Sequence, residues 1–305
     1  MAELVGTCQE GELYLIELRL EREGFRKFLS SWLLRTGSGQ FLIDTGPAAV
    51  LPQLLDGIKE LGVNRVDAIL LTHIHLDHAG AVGDLVECFP EARVLAHPKA
   101  RRHLEDPARL WEGSVEVLGD LAHLYGPLKP VPREKLIGGV PGIRMIETPG
   151  HSPHHASFLW GEYIFAGEAA GVYLDLGDAY YLRPATPPKF FLQRTLASLD
   201  TLLDLAGDES ILCFGHFGWA RGAKGILELA RQQLCRWEQI IAAVGQRLEV
   251  REEGEFLSLL REEVLRRDPL LQGFFRLEPD IQQREKYFLD NSLKGYMDYL
   301  SLGPF

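Results

Sequence analysis

The stretch Thr72-His73-Ile74-His75-Leu76-Asp77-His78-Ala79-Gly80 constrains this chain more than any other. It places three imidazoles and a carboxylate at positions 73, 75, 77 and 78. The segment before it, Val66 to Leu71, contains Ala68-Ile69-Leu70-Leu71 unbroken and reads as a buried strand. Ala79 to Phe89 reads as a short helix, which puts the cluster on a strand-to-helix loop. In extended backbone, residues two apart project to the same side, and His73 and His75 can grip one ion together. Asp77 and His78 follow one turn later and face a different point, which suits a second ion. Imidazole and carboxylate donors without thiolate suit zinc, iron or manganese. Two histidines two residues apart are commonly incidental; four ligand-type residues at this spacing behind a buried strand are a metal signal.

A length of 305 residues accommodates one large domain with an appendage, or two domains. The formal net charge of −11 argues against a nucleic-acid partner held on a broad basic face. Met1-Ala2-Glu3 opens without the basic region of a secretory signal, and no apolar run approaches membrane-spanning length. Cys8, Cys88, Cys213 and Cys235 are scattered and form no C-x-x-C. The expectation is a cytoplasmic protein with reduced thiols and no membrane partner.

Along the chain, Glu12–Leu20, Ser31–Arg35 and Gln40–Asp44 read as a meander turning at Gly37-Ser38-Gly39, with Asp44-Thr45-Gly46-Pro47 ending its last strand. Leu51, Leu54, Leu55, Ile58 and Leu61 recur at helical spacing before Gly62. Arg93–Ala96 is a short strand, 100–125 are partly helical with Pro107 and Gly113 as interruptions, and 126–142 read as loop. Three more apolar strands then run into glycine turns and a metal-competent side chain. Ile143–Glu147 leads to Thr148-Pro149-Gly150-His151, Tyr163–Ala166 to Gly167-Glu168, and Ile211–Phe214 to Gly215-His216. With the first cluster, these strand ends can converge on one rim of a sheet structure. Ala169–Pro188 reads as a loop over that rim, with Tyr173, Tyr181 and Arg183 as candidates to hold a substrate carbonyl or carboxylate. Phe191–Leu205 is a helix. Beyond residue 222 the apolar spacing suggests three amphipathic helices, around Leu227–Val244, Phe256–Val264 and Leu289–Leu300, the last ending near Gly303-Pro304.

The 72–80 stretch resembles the H-x-H-x-D-H signature of the metallo-β-lactamase-fold hydrolases, a resemblance that covers roughly residues 12 to 220 and points to a branch near glyoxalase II found in archaea and bacteria. It implies an α/β (α+β) architecture: a four-layer αβ/βα sandwich of two mixed sheets with helices outside, over residues 1–221. Residues 222–305 then form a helical appendage that walls the substrate pocket or makes a homodimer surface. The resemblance also implies His73, His75 and His151 as one metal site and Asp77, His78 and His216 as a second, with Asp77 as the candidate catalytic residue. Glu168 stands where the family usually has a bridging aspartate. Either the strand end is set back to suit the longer side chain, or glutamate reaches one ion only. His155 matches a histidine that often follows the ligand His151, in a supporting or packing role. His97, His103 and His123 read as surface or core histidines, His154 is left unassigned, and Cys213 reads as a small buried hydrophobe. The implied cofactors are two divalent ions, zinc first, with iron or manganese as alternatives. The implied activity is hydrolysis of a small-molecule thioester, ester or lactone by metal-held hydroxide. An iron-dependent oxidoreductase and a non-catalytic metal-binding protein are the alternatives. A β-lactam substrate is disfavoured by Asp77 and the lack of a cysteine ligand, and RNA by the acidic charge.

Overall fold

The computed structural model describes residues 2–8, 11–246 and 252–301. β1 (Ala2–Cys8), β2 (Gly11–Leu18), β3 (Leu29–Thr36), β4 (Gly39–Ile43), β5 (Ala68–Leu70), β6 (Arg93–Leu95) and β7 (Leu136–Ile137) form one sheet in that order. Its first four strands are antiparallel and its last four parallel. The second sheet takes β8 (Arg144–Glu147), β9 (Ala156–Trp160) and β10 (Tyr163–Gly167). After the separate hairpin of β11 (Val172–Asp175) and β12 (Tyr180–Arg183), the chain adds β13 (Ile211–Phe214) and β14 (Trp219–Arg221), giving the order β14-β13-β10-β9-β8.

The two sheets pack face to face because their strands are apolar on both sides. In β5, Ala68 and Leu70 join Trp32, Phe41, Phe158 and Phe165 between the sheets, while Ile69 and the following Leu71 face helices. In β13, Ile211 and Cys213 point into the same middle layer, and Leu212 and Phe214 point outward. Unbroken apolar runs are what a strand covered on both faces requires. Outside the first sheet lie α1 (Leu51–Glu60), α2 (Leu76–Ala79), α3 (Val82–Cys88), α4 (Arg101–Glu105), α5 (Ala108–Leu118) and α6 (Asp120–Tyr125). Outside the second lie α7 (Leu192–Leu205), α8 (Ala223–Gly245), α9 (Glu253–Arg267) and α10 (Pro279–Tyr299). The result is the four-layer αβ/βα sandwich.

Three local expectations are corrected. The helix behind the histidine cluster begins earlier, at Leu76, which puts Asp77 and His78 on a helical turn whose N-cap is His75. Gly113 lies inside α5, and the chain breaks instead at Pro107 and at Gly119, where φ is +55. Residues 169–188 are largely the β11–β12 hairpin, registered Tyr173 opposite Leu182 and turning at Gly177. The tail helices share one core with the outer face of the second sheet: Trp237, Leu289 and Tyr296 cluster with Ile164, Leu212 and Phe214. Residue 222 falls between β14 and α8, and Gly303-Pro304 lie outside the described residues. Among the described residues, no helix is long and apolar enough to cross a membrane.

A buried ion triad ties the tail to the sheets. Arg183 Nε donates to Glu285 Oε2 at 2.6 Å, and Arg284 Nε donates to Glu285 Oε1 at 2.9 Å. Arg284 also donates to the Gly24 carbonyl at 2.6 Å. Burial acts to raise the Glu285 pKa, but the charges of Arg183 and Arg284 outweigh it and hold the carboxyl at about 2. Its folded value lies below its ordinary one of 4.5, so its contribution is complete above that pH and is lost as pH falls toward about 2. Glu285→Gln should destabilise the protein by about 3–5 kcal/mol, because two guanidinium groups keep their burial and lose their carboxylate. Urea unfolding at neutral pH measures the loss, and the variant should show a flatter stability profile between pH 4.5 and about 2 than the parent.

Candidate metal centre

The strand ends do converge. His73, His75, His151 and Glu168 can each offer one atom within 4.8 Å of the others, and Asp77, His78 and His216 form a second such group. β5 delivers the first cluster, β8 leads to His151, β10 to Glu168 and β13 to His216.

The hydrogen bonds around these rings fix their tautomers. Thr72 Oγ1 donates to Asp44 Oδ2 at 2.7 Å and therefore accepts from His73 Nδ1 at 3.0 Å. His78 Nδ1 donates to Asp44 Oδ2 at 3.0 Å, His151 Nδ1 to the Ala185 carbonyl at 3.0 Å, and His216 Nδ1 to the Phe28 carbonyl at 3.2 Å. All four rings thus spend their proton outward and turn a bare Nε2 inward. What those nitrogens meet is another acceptor. Glu168 Oε2 lies 2.9 Å from His151 Nε2 and 3.3 Å from His73 Nε2, and Oε1 lies 3.1 Å from His216 Nε2. His75 is turned the other way, its Nδ1 2.9 Å from His151 Nε2. The buried Nε2 atoms of His73 and His78 have no hydrogen-bond partner. Lone pairs brought this close at buried atoms are stabilised by a cation between them, and the donor set fits one.

The electrostatics agree. Burial, then the neighbouring imidazoles, hold His73 and His75 well below the ordinary histidine range, in the neutral form that ligates metal. At His78 burial acts the same way but is outweighed by Asp77, Asp44 and Glu168, which push it up: the field there favours positive charge. At Glu168 burial acts upward, but His151 and His216 overcome it and hold the carboxyl well below the usual range.

Glu168 is aimed by a local irregularity. The register of β10 on β13 slips between Phe165 and Gly167. Gly167 has φ +55, and a Cβ there would strike the His155 ring and come within 3.0 Å of Thr72 Cβ. The Glu168 N–H then donates to His155 Nε2 at 3.1 Å, while His155 Nδ1 donates to Thr148 Oγ1 at 2.9 Å. His155 supports the site by holding the Glu168 backbone. Asp44, at φ +57 just after β4, supports it by gripping the Thr72 N–H at 2.8 Å together with His78. Sequence reasoning gives Asp44 no part in the site; it precedes its glycine, Gly46, whereas His151, Glu168 and His216 each directly follow one.

A cavity of about 540 Å³ opens in front of His75, Asp77, His151, Glu168 and His216. Arg183 lines it, but its charge is spent on Glu285. Tyr173 and Tyr181 do not line it. Tyr173, on one face of the hairpin, stacks on Phe214 of β13 with centroids 5.0 Å apart, and Tyr181, on the opposite face, is fully buried against Phe274 of the tail. His103 and His154 do line the cavity, and Cys213 lies between the sheets away from it.

The sequence model of the Metallo-beta-lactamase superfamily matches residues 26–216. This chain belongs to that superfamily. It is a metallo-hydrolase of the group. Metallo-beta-lactamase fold-containing protein ST1585 of Sulfurisphaera tokodaii is 32% identical over 192 residues, or 58% of this chain and 70% of that protein. A hydroxyacylglutathione hydrolase of Stenotrophomonas maltophilia is 33% identical over 141 residues, and the atrochrysone carboxyl ACP thioesterase of Aspergillus fumigatus 32% over 142. These matches cover 45% and 46% of this chain but only 44% and 39% of those two enzymes. Among solved structures, the archaeal superfamily protein ST1585 superposes with a TM-score of 0.66 at 22% identity, over 93% of this chain and 98% of that one. TTHA1429 from Thermus thermophilus gives 0.65 at 22%, over 95% and 93%. At that identity the superpositions establish the fold alone.

Two outcomes are expected within this superfamily frame. Asp44→Ala should lower metal affinity by about 10- to 100-fold while the protein stays folded, since it frees His78 and Thr72 without touching an inward-facing nitrogen. His151→Ala should remove metal more completely. Elemental analysis of dialysed protein, with circular dichroism as the folding control, checks both.

Proposed function

We propose that this chain is a dinuclear metal-dependent hydrolase of small-molecule thioesters or esters, with zinc the first choice of metal. His73, His75 and His151 would hold one ion and Asp77, His78 and His216 the other, with Glu168 standing between the two groups. The observation that carries this reading is the division of the Glu168 carboxylate, with Oε1 beside His216 and Oε2 beside His151 and His73. Bound divalent ions supply an activated water at neutral pH and polarise a carbonyl.

The chain's own residues do the rest. Asp77 is the less buried of the two carboxylates at the centre, with a side-chain exposure of 15% on the cavity side. It is placed to take a proton from the attacking water. Ile74, Leu76 and Phe288 give the cavity apolar walls, which thin the water around a bound carbonyl and strengthen each charge near it. Phe288 and Asn291 come from α10, so the helical tail is part of the substrate wall. The slip in β10 supports a glutamate bridge, since it resets the strand end that carries the longer side chain. Thioester cleavage is favoured over other acyl substrates because two relatives of different origin are named for it, a hydroxyacylglutathione hydrolase and an acyl-carrier thioesterase.

Metal-loaded protein should cleave a thioester or ester from a panel that also holds lactones, phosphodiesters and β-lactams, and chelation should abolish the activity. Asp77→Asn should lower kcat by about 10²–10⁴-fold. Glu168→Gln, at constant length without the charge, should lower metal content chiefly at the Asp77 side, and Glu168→Asp should be milder. Full metal content and unchanged turnover in Glu168→Gln would remove Glu168 from the site.

A further inference from the structure

One wall of the cavity is a helix that reaches the core only along one side. α5 spans 11 residues, none of them buried. Its residues Leu110, Gly113, Ser114, Val117 and Leu118 line the cavity. Their spacing of i, i+3, i+4, i+7 and i+8 is the stripe that a surface helix normally turns toward a core. Leu110, Trp111, Val115 and Leu118 pack, partly buried, against the core beneath the first sheet, while Gly113, Ser114 and Val117 turn to the cavity, with Val117 64% exposed. Gly113 faces open space, with nothing within 4 Å of where a Cβ would stand. Glycine inside a helix costs stability relative to alanine, and no close packing at this position requires it. The space it leaves is cavity.

The opposite wall is also apolar near the centre, with Ile74, Leu76, Pro153 and Phe288. The cavity runs without interruption from α5 to His75, Asp77 and His151. An apolar chain lying on the α5 stripe can therefore reach the centre without leaving the cavity. The volume of about 540 Å³ lies within the range for small-molecule sites and far exceeds an acetyl group.

We propose that α5 is the acyl-chain wall of the substrate site, and that the substrate is an ester or thioester of an apolar acid of medium chain length. This rests on the hydrolase reading above. The chain lies along Leu110, Gly113, Val117 and Leu118, and burying it against them completes a surface that is apolar and uncovered in the free protein. α5 thus sets chain-length preference, while the centre supplies the chemistry.

The test uses the carboxylic acid product as ligand and needs no turnover. Octanoate and acetate are titrated into the full-length metal-loaded protein by calorimetry. Octanoate should bind at least about tenfold tighter, because each buried methylene adds to affinity. Gly113→Leu, which fills the open space from an unstrained helical position, should weaken octanoate at least about tenfold and leave acetate unchanged. Val117→Asp should act in the same direction. Neither position lies in a core, so thermal melting should stay close to that of the parent. Equal affinity for the two acids overturns the proposal. So does octanoate binding that both substitutions leave unchanged, or a solution mass showing that α5 is covered by a second copy, which Val117→Asp releases. Octanoate binding as described without cleavage of any ester would leave the acyl wall standing and remove the hydrolase reading. Cleavage of acetyl and octanoyl esters with equal KM would do the reverse.

Discussion

The centre of this molecule is a set of lone pairs that cannot face one another unaided. Five imidazoles and the Glu168 carboxylate meet at the floor of the cavity, and four of the rings have already spent their protons on Asp44, Thr72 or a backbone carbonyl. Acceptor atoms at 2.9–3.3 Å repel unless positive charge lies between them. The outward hydrogen bonds matter as much as the inward nitrogens, because they decide which ring atom is bare.

The two sheets exist, from this point of view, to hold that arrangement. The parallel strands β4 and β5 of the first sheet end at Asp44 and the His73 cluster. The parallel pair β10 and β13 of the second ends at Glu168 and His216. Face-to-face packing through Trp32, Phe158 and Phe165 brings the two rims together. The tail adds a third support. Arg284 stands over the Phe28 ring at 4.3 Å, and Phe28 stacks on His216 with centroids 4.2 Å apart. A helix far beyond His216 in the sequence thus braces one of the inward-facing rings from behind.

The part of this arrangement legible in the sequence is the part written in residue type. Histidines two apart after an apolar run, and glycine turns followed by His151, Glu168 and His216, announce ligands at strand ends because few other uses demand those side chains there. Asp44 follows no glycine and has no histidine beside it in the sequence, so only its contact with His78 reveals its part. Tyr173 and Tyr181 are misplaced by sequence reasoning because a short strand and a loop rich in aromatics look alike over four residues. Sequence periodicity also does not distinguish a helical stripe facing a cavity from one facing a core. Gly113 reads as a break, yet the helix runs through it and its missing side chain leaves room in the cavity.

The most direct measurement is X-ray absorption at the metal edge of the protein loaded with two equivalents of zinc. Nitrogen and oxygen scatterers without sulfur are expected, with a metal–metal vector of about 3.5–4 Å from two ions that share one carboxylate. A single ion with imidazole ligands and no metal–metal vector, at full loading, would contradict that arrangement.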